Sequence, residues 1–153
     1  TPGVVVMNKE SKNIWFDMDG TIVDLYGVNN WLTMIINENA TPYTIAKPLI
    51  NMQVLAKTLN KLIQKGYTIN IVSWLSKNGT PTYNEKVIQA KKQWLRKHLK
   101  SVQFSKIDII KYGTPKQNNR SGILFDDEKP NRDAWSGIAY NEKNILKNLK
   151  ELA

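Results

Sequence analysis

Cysteine is absent from this 153-residue chain, and histidine occurs once, at His98. The first absence removes disulfide scaffolds, zinc–thiolate sites and cysteine nucleophiles. The second leaves a Ser-His-Asp triad or a multi-histidine metal site poorly supplied. No apolar run approaches the roughly 20 residues that span a bilayer, so no membrane partner is expected. The first seven residues, Thr1-Pro2-Gly3-Val4-Val5-Val6-Met7, lack the charged start and long apolar stretch of a secretion signal. The cytoplasm is the expected location, with Met7 the expected native start and residues 1–6 an appended remnant. Acid is also scarce. Thirteen Asp and Glu face 22 Lys and Arg, a formal net charge of +9, which favours phosphate-bearing metabolites or nucleic acid as partners. Nothing in the sequence sets an oligomeric state.

What is present fits one compact domain, 1–153, since this length supports a single core. Asn13-Ile14-Trp15-Phe16 is a short apolar run that stops at Asp17, as a buried parallel strand would. Residues 49–65 carry Met52, Leu55, Leu59, Leu62 and Ile63 on one helical stripe, with Gly66 at the C-cap position. Residues 67–72 are aromatic and β-branched and read as a second strand. A helix is expected over 83–98 with Val87, Ala90, Trp94 and Leu95 inward, then a strand within 102–110 and a loop over 112–121. Ile123-Leu124-Phe125 is another apolar run ending on acid, at Asp126 and Asp127. A last strand within 137–140 and a closing helix over 141–152 complete the chain. Residues 24–48, with Trp31, Leu32, Ile35 and Ile36 at helical spacing, form a small helical insert.

Strands alternating with helices predict an α/β, Rossmann-like, mainly parallel sheet with helices on both faces. Ligands bind such sheets beyond the carboxyl ends of the strands. Asp17, Ser73 and Asp126 each sit at such an end. In Asp17-Met18-Asp19-Gly20-Thr21 a carboxylate fixed at a strand end can attack phosphorus, dividing a hard hydrolysis into two easier steps. A second carboxyl two residues on can protonate the leaving oxygen and later activate water. Gly20 lets the backbone turn tightly.

This segment resembles the signature of the haloacid dehalogenase superfamily, whose commonest members are magnesium-dependent phosphatases. That resemblance implies three further motifs, and each has a candidate. Ser73, after Ile69-Asn70-Ile71-Val72, would place a hydroxyl on a phosphoryl oxygen. Lys116, in Tyr112-Gly113-Thr114-Pro115-Lys116, would neutralise charge between nucleophile and phosphoryl group, with Lys111 as its rival. The pair Asp126-Asp127 would complete a Mg2+ site. The implied metal ligands are Asp17, the backbone carbonyl of Asp19, and Asp126, with Asp127 binding directly or through water. Four converging carboxylates would repel and bind protons without a cation, and magnesium prefers oxygen ligands. An aspartate two residues after the nucleophile favours a phosphatase over a dehalogenase. Thr21 is assigned first to holding the turn, and joins Ser73, Trp74 and Lys116 in the set expected around substrate.

The insert at 24–48 stands where this superfamily often carries a cap, here very small. Trp74, beside Ser73, is a candidate wall of the substrate pocket. The lysine-rich stretch 85–99 with its Trp94-Leu95 pair resembles the cytosolic deoxyribonucleotidase branch, which makes a nucleoside 5′-monophosphate the leading substrate. A reading from another class uses the same helix. Lys86, Lys91, Lys92, Arg96, Lys97 and Lys100 would track a phosphate backbone, as in a nucleic-acid-binding module or a phosphatase acting on nucleic-acid ends.

Overall fold

A computed structural model describes residues 12–153; the expected start at Met7 and the remnant at 1–6 lie outside the described residues. Five strands form one parallel sheet: β1 (Asn13–Phe16), β4 (Thr68–Trp74), β5 (Lys106–Ile110), β6 (Ile123–Phe125) and β7 (Ala139–Tyr140). Their order is β5-β4-β1-β6-β7, with Ile14 opposite both Ile69 and Ile123. The chain therefore steps outward from β1 to β4 to β5, then returns to the other side of β1. That reversal puts a crevice at the carboxyl ends of β4, β1 and β6, the three central strands. The acidic strand ends read in the sequence lie on two of them.

Topology also decides which face each helix covers. Right-handed crossovers running in one direction put α3 (Met52–Gln64) and α4 (Pro81–His98) on the same face. There Leu55, Leu59, Leu62, Trp94 and Leu95 pack on Ile14, Phe16, Ile69, Ile71 and Phe125, joined by Ile145 and Leu149 of α6 (Ile145–Leu152). The rings of Phe16 and Phe125 stack with centroids 5.0 Å apart, and Tyr140 continues the row at 5.4 Å from Phe125. The opposite face is thinner. Trp15, Val72 and Leu124 are covered by Trp135, which ends the short α5 (Lys129–Ala134). The β5-to-β6 connection brings a loop in place of a helix, as its Gly and Pro content predicts.

Residues 24–48 hold a 3-10 turn at Leu25–Gly27, α1 (Trp31–Ile36) and α2 (Thr41–Ile45). The two-stranded ribbon of β2 (Val23–Asp24) and β3 (Lys47–Pro48) closes their base. Tyr43 of α2 packs with Tyr83 and Val87 of α4, and the Glu38 carboxylate accepts from the Thr80 backbone and hydroxyl at the start of α4. The insert is thus fastened over the crevice. Among the described residues no helix is long and apolar enough to cross a membrane.

Candidate active site

Asp17 leaves β1 with its backbone N–H bonded to the Phe125 carbonyl at 2.9 Å, so the strand ladder itself fixes the first carboxylate. The next residues fold back at once: the N–H groups of Thr21, Ile22 and Val23 all reach the Met18 carbonyl. Gly20 makes this turn at φ +84°, and a Cβ there would lie 2.3 Å from Asp127 Oδ2. Only glycine meets both demands. Thr21, fully buried, donates to Asp17 Oδ2 at 2.9 Å and accepts from the Asp127 N–H at 3.1 Å. Its hydroxyl ties the two acidic strand ends together, so its place is between carboxylates.

Lys116 is the lysine that reaches this centre. Its Nζ donates to Asp17 Oδ1 at 2.9 Å and Asp126 Oδ2 at 2.7 Å, and lies 5.1 Å from the centre of the Trp74 ring. Lys111 is exposed. The Lys116 loop is pinned from both sides: Trp74 Nε1 donates to the Thr114 carbonyl at 2.8 Å, and Arg120, paired with Asp108 at 2.9 Å, donates to the Lys116 carbonyl. Asp126 is held as firmly, its Oδ1 accepting from the Glu128 N–H and its Oδ2 from Asn131. Arg132 donates to the carbonyls of Asp126 and Asp127 at 3.0 and 2.9 Å.

One carboxylate oxygen each from Asp17, Asp126 and Asp127 lies within 4.8 Å of the others. Burial, with Asp17 beside it, pushes Asp126 up to about 6 against the pull of Lys116. Burial and the neighbouring carboxylates raise Asp127 further, to about 8. Burial also works against the Lys116 ammonium, but Asp17 and Asp126 outweigh it and hold its pKa above the ordinary lysine value. Such carboxylates are short of positive charge. The donors are all oxygen, and the three converging carboxylates, when ionised, exceed the charge of Lys116 by two, which one divalent cation would balance. The Asp19 carboxylate is not one of the three converging groups.

Asp19 and Ser73 meet elsewhere, on a residue whose charge predicts a place on the surface. Lys91 is 1% exposed, and its Nζ donates to Asp19 Oδ2 at 2.9 Å, Ser73 Oγ at 2.7 Å and the Trp74 carbonyl at 2.7 Å. It therefore leaves the row of cations expected to track a phosphate backbone. Burial raises the Asp19 pKa, and Lys91 partly offsets that rise. Sequence reasoning also missed Asn131 and Arg132. The available signal for Lys91 was its spacing: it falls one residue after Ala90 and four after Val87, on the inward face of α4.

A cleft of about 630 Å³ opens above Asp17, Asp19, Lys116 and Asp127. Trp74 lines it and pairs with Tyr112 at 5.1 Å between ring centres. The facing wall comes from the insert, with Trp31 edge-on to Tyr26 at 4.9 Å and Leu32, Ile35 and Ile36 beside them.

No protein-family model matches the chain, and no curated protein sequence does. A solved structure does. The D,D-heptose 1,7-bisphosphate phosphatase from Burkholderia thailandensis superposes with a TM-score of 0.57 at 10% identity, over 92% of this chain and 97% of that one. This chain shares the fold of a solved phosphatase. At that identity the likeness shows the α/β architecture alone.

Proposed function

We propose that the protein is a magnesium-dependent phosphatase that hydrolyses a phosphomonoester through an aspartyl-phosphate, with a nucleoside 5′-monophosphate as substrate. The observation carrying this is Lys116 bridging Asp17 and Asp126 at a strand crevice, with Asp127 beside them. Asp17, Asp126 and Asp127 would hold the ion together with the Asp19 carbonyl, and when bound it would neutralise charge on the phosphoryl oxygens. Asp17 attacks phosphorus as the bond to the leaving oxygen breaks, and Asp19 supplies that oxygen with a proton. Asp19 then takes a proton from water, whose oxygen attacks the aspartyl-phosphate; orthophosphate leaves and Asp17 is restored. The raised pKa of Asp19 suits a group that begins as an acid. Lys116 and the Ser73 hydroxyl stabilise the charge that builds on the transferring group.

The insert would act as a small cap. Its cleft wall is aromatic and aliphatic, which suits a planar base better than the hydroxyl-rich sugar that names the structural neighbour. Phosphate release from nucleoside 5′-monophosphates, sugar phosphates and 3′-phosphorylated oligonucleotides, with and without magnesium, tests the reading. Magnesium-dependent turnover best with nucleotides and lost in Asp17→Asn is expected. Release that persists in Asp17→Asn would remove the nucleophile, and preference for sugar phosphates would remove the nucleotide.

Charge distribution favours a second reading, a phosphatase acting on nucleic-acid ends. Residues 39–107 hold twelve Lys and Arg against one acid, Glu85. Lys57, Lys97 and Lys100 gather with Asn60 and Ser101 around a groove between α3 and the end of α4. Preference for the oligonucleotide, falling steeply with salt, would select it.

A further inference from the structure

We propose that Lys91 is a positioning residue for phosphoryl transfer, fixing Asp19 and turning the Ser73 hydroxyl so that its proton is free for a phosphoryl oxygen. The inference rests on the phosphatase reading above. An ammonium has three protons and accepts nothing. Here all three are committed, to Asp19 Oδ2, Ser73 Oγ and the Trp74 carbonyl, at 2.9, 2.7 and 2.7 Å. Ser73 Oγ must therefore accept from Lys91, and its own proton points elsewhere. Among the described residues Ser73 Oγ donates to no protein group, although the residue is buried. A buried hydroxyl with an uncommitted proton, at the strand end next to Asp17, is a donor waiting for an acceptor.

The same ammonium sets the distance between the two groups that handle the substrate oxygens. Asp19 and Ser73 lie on different strand ends and are joined through a single nitrogen. Tyr43 of the insert covers that nitrogen, 5.1 Å from its ring centre, and anchors its own hydroxyl on Ser76 Oγ at 2.6 Å. Water is kept from Lys91 while Asp19 still lines the cleft. A helix packed on apolar neighbours would be served by an apolar side chain at this position, because burying an ammonium is costly unless its partners matter. Lys91 lies four residues after Val87, three before Trp94 and beside Ala90, all buried.

The test uses the intact chain with p-nitrophenyl phosphate for turnover and inorganic phosphate for binding, both at fixed magnesium. Lys91→Met, Ser73→Ala and the double variant are compared, with thermal melts to confirm folding. Each single variant is expected to lose about 10- to 100-fold in kcat/KM and in phosphate affinity, the scale of one charge-assisted hydrogen bond. In phosphate affinity, where leaving-group protonation by Asp19 plays no part, the double variant is expected to lose far less than the product of the two, because there Lys91 acts through Ser73. Affinity losses that multiply, or a Lys91→Met protein with wild-type turnover and phosphate affinity, would overturn the proposal. Should Lys91→Met not fold, Lys91→Gln keeps a donor without the charge and is read by the same cycle. Absence of turnover in the wild type would sink the phosphatase reading, while phosphate binding would still report whether Lys91 and Ser73 act together.

Discussion

Two buried lysines divide the work at this centre, and each is defined by its acceptors. Lys116 joins Asp17 to Asp126, and Lys91 joins Asp19 to Ser73. Gly20 lets the backbone pass close beside Asp127, where a Cβ would lie 2.3 Å from Oδ2. Substituting it separates two costs. At Gly66, φ +95° after α3, an added methyl would, among the described residues, come near only the Lys12 side chain, 3.8 Å away, so Gly66→Ala is expected to carry mainly the backbone cost of about 1–2 kcal/mol. Gly20→Ala carries the same cost and also drives a methyl into Asp127 Oδ2. Melts should show both variants destabilised, with magnesium affinity and turnover falling at least about tenfold only for Gly20→Ala, a loss equivalent to about 1.4 kcal/mol. Equal effects of the two on magnesium affinity would show that the Gly20–Asp127 contact does not shape the site.

Elements position these residues through bonds that no hydrophobic pattern announces. The short α5 holds the carbonyls of Asp126 and Asp127 through Arg132 and one Asp126 oxygen through Asn131. Arg132→Ala should therefore cost about 2 kcal/mol, a fall in Tm of about 4–8 °C, and weaken magnesium binding although Arg132 touches no carboxylate. A melt and a magnesium titration check it; an unchanged magnesium affinity would make the helix a spectator. This element was illegible in the sequence because Lys129–Ala134 buries none of its six residues and so has no apolar stripe to read. The strands were legible for the opposite reason. Runs such as Ile123-Leu124-Phe125 are buried on both faces and end where the site begins. Trp94 and Leu95 face inward as their spacing predicts, but Lys91, on that same face, reads as one more solvated lysine, since sequence patterning treats every lysine as polar. Of the insert's helices α1 was legible from spacing, though its direction was not, and α2 was not read. Leu32 and Ile36 are 51% and 70% exposed and line the cleft rather than the core.

Across the whole molecule, a chain of net charge +9 holds a buried cluster of carboxylates, and its shifted groups respond to pH in opposite ways. Asp126 and Asp127 have folded-state pKa values of about 6 and about 8, above those of an unfolded aspartate. Between about pH 4 and pH 8 these two groups therefore hold more protons in the folded protein than in the unfolded chain, and their contribution to stability is lost as pH rises. His98 has the other sign: burial lowers its pKa, so its contribution grows as pH rises through the histidine range. A difference between proteins isolates the acidic centre. In chelator-treated samples, Asp127→Asn should gain Tm relative to wild type as pH is raised from about 5 to about 8.5, a range of the order over which these carboxylates ionise. Magnesium should reverse the ranking, stabilising wild type more at the upper end of that range than at the lower and Asp127→Asn weakly at both, since a bound cation favours the ionised carboxylates. A Tm difference that does not change with pH would mean that Asp127 ionises without cost in the folded state. Asp127 would then need no cation beside it to stay ionised.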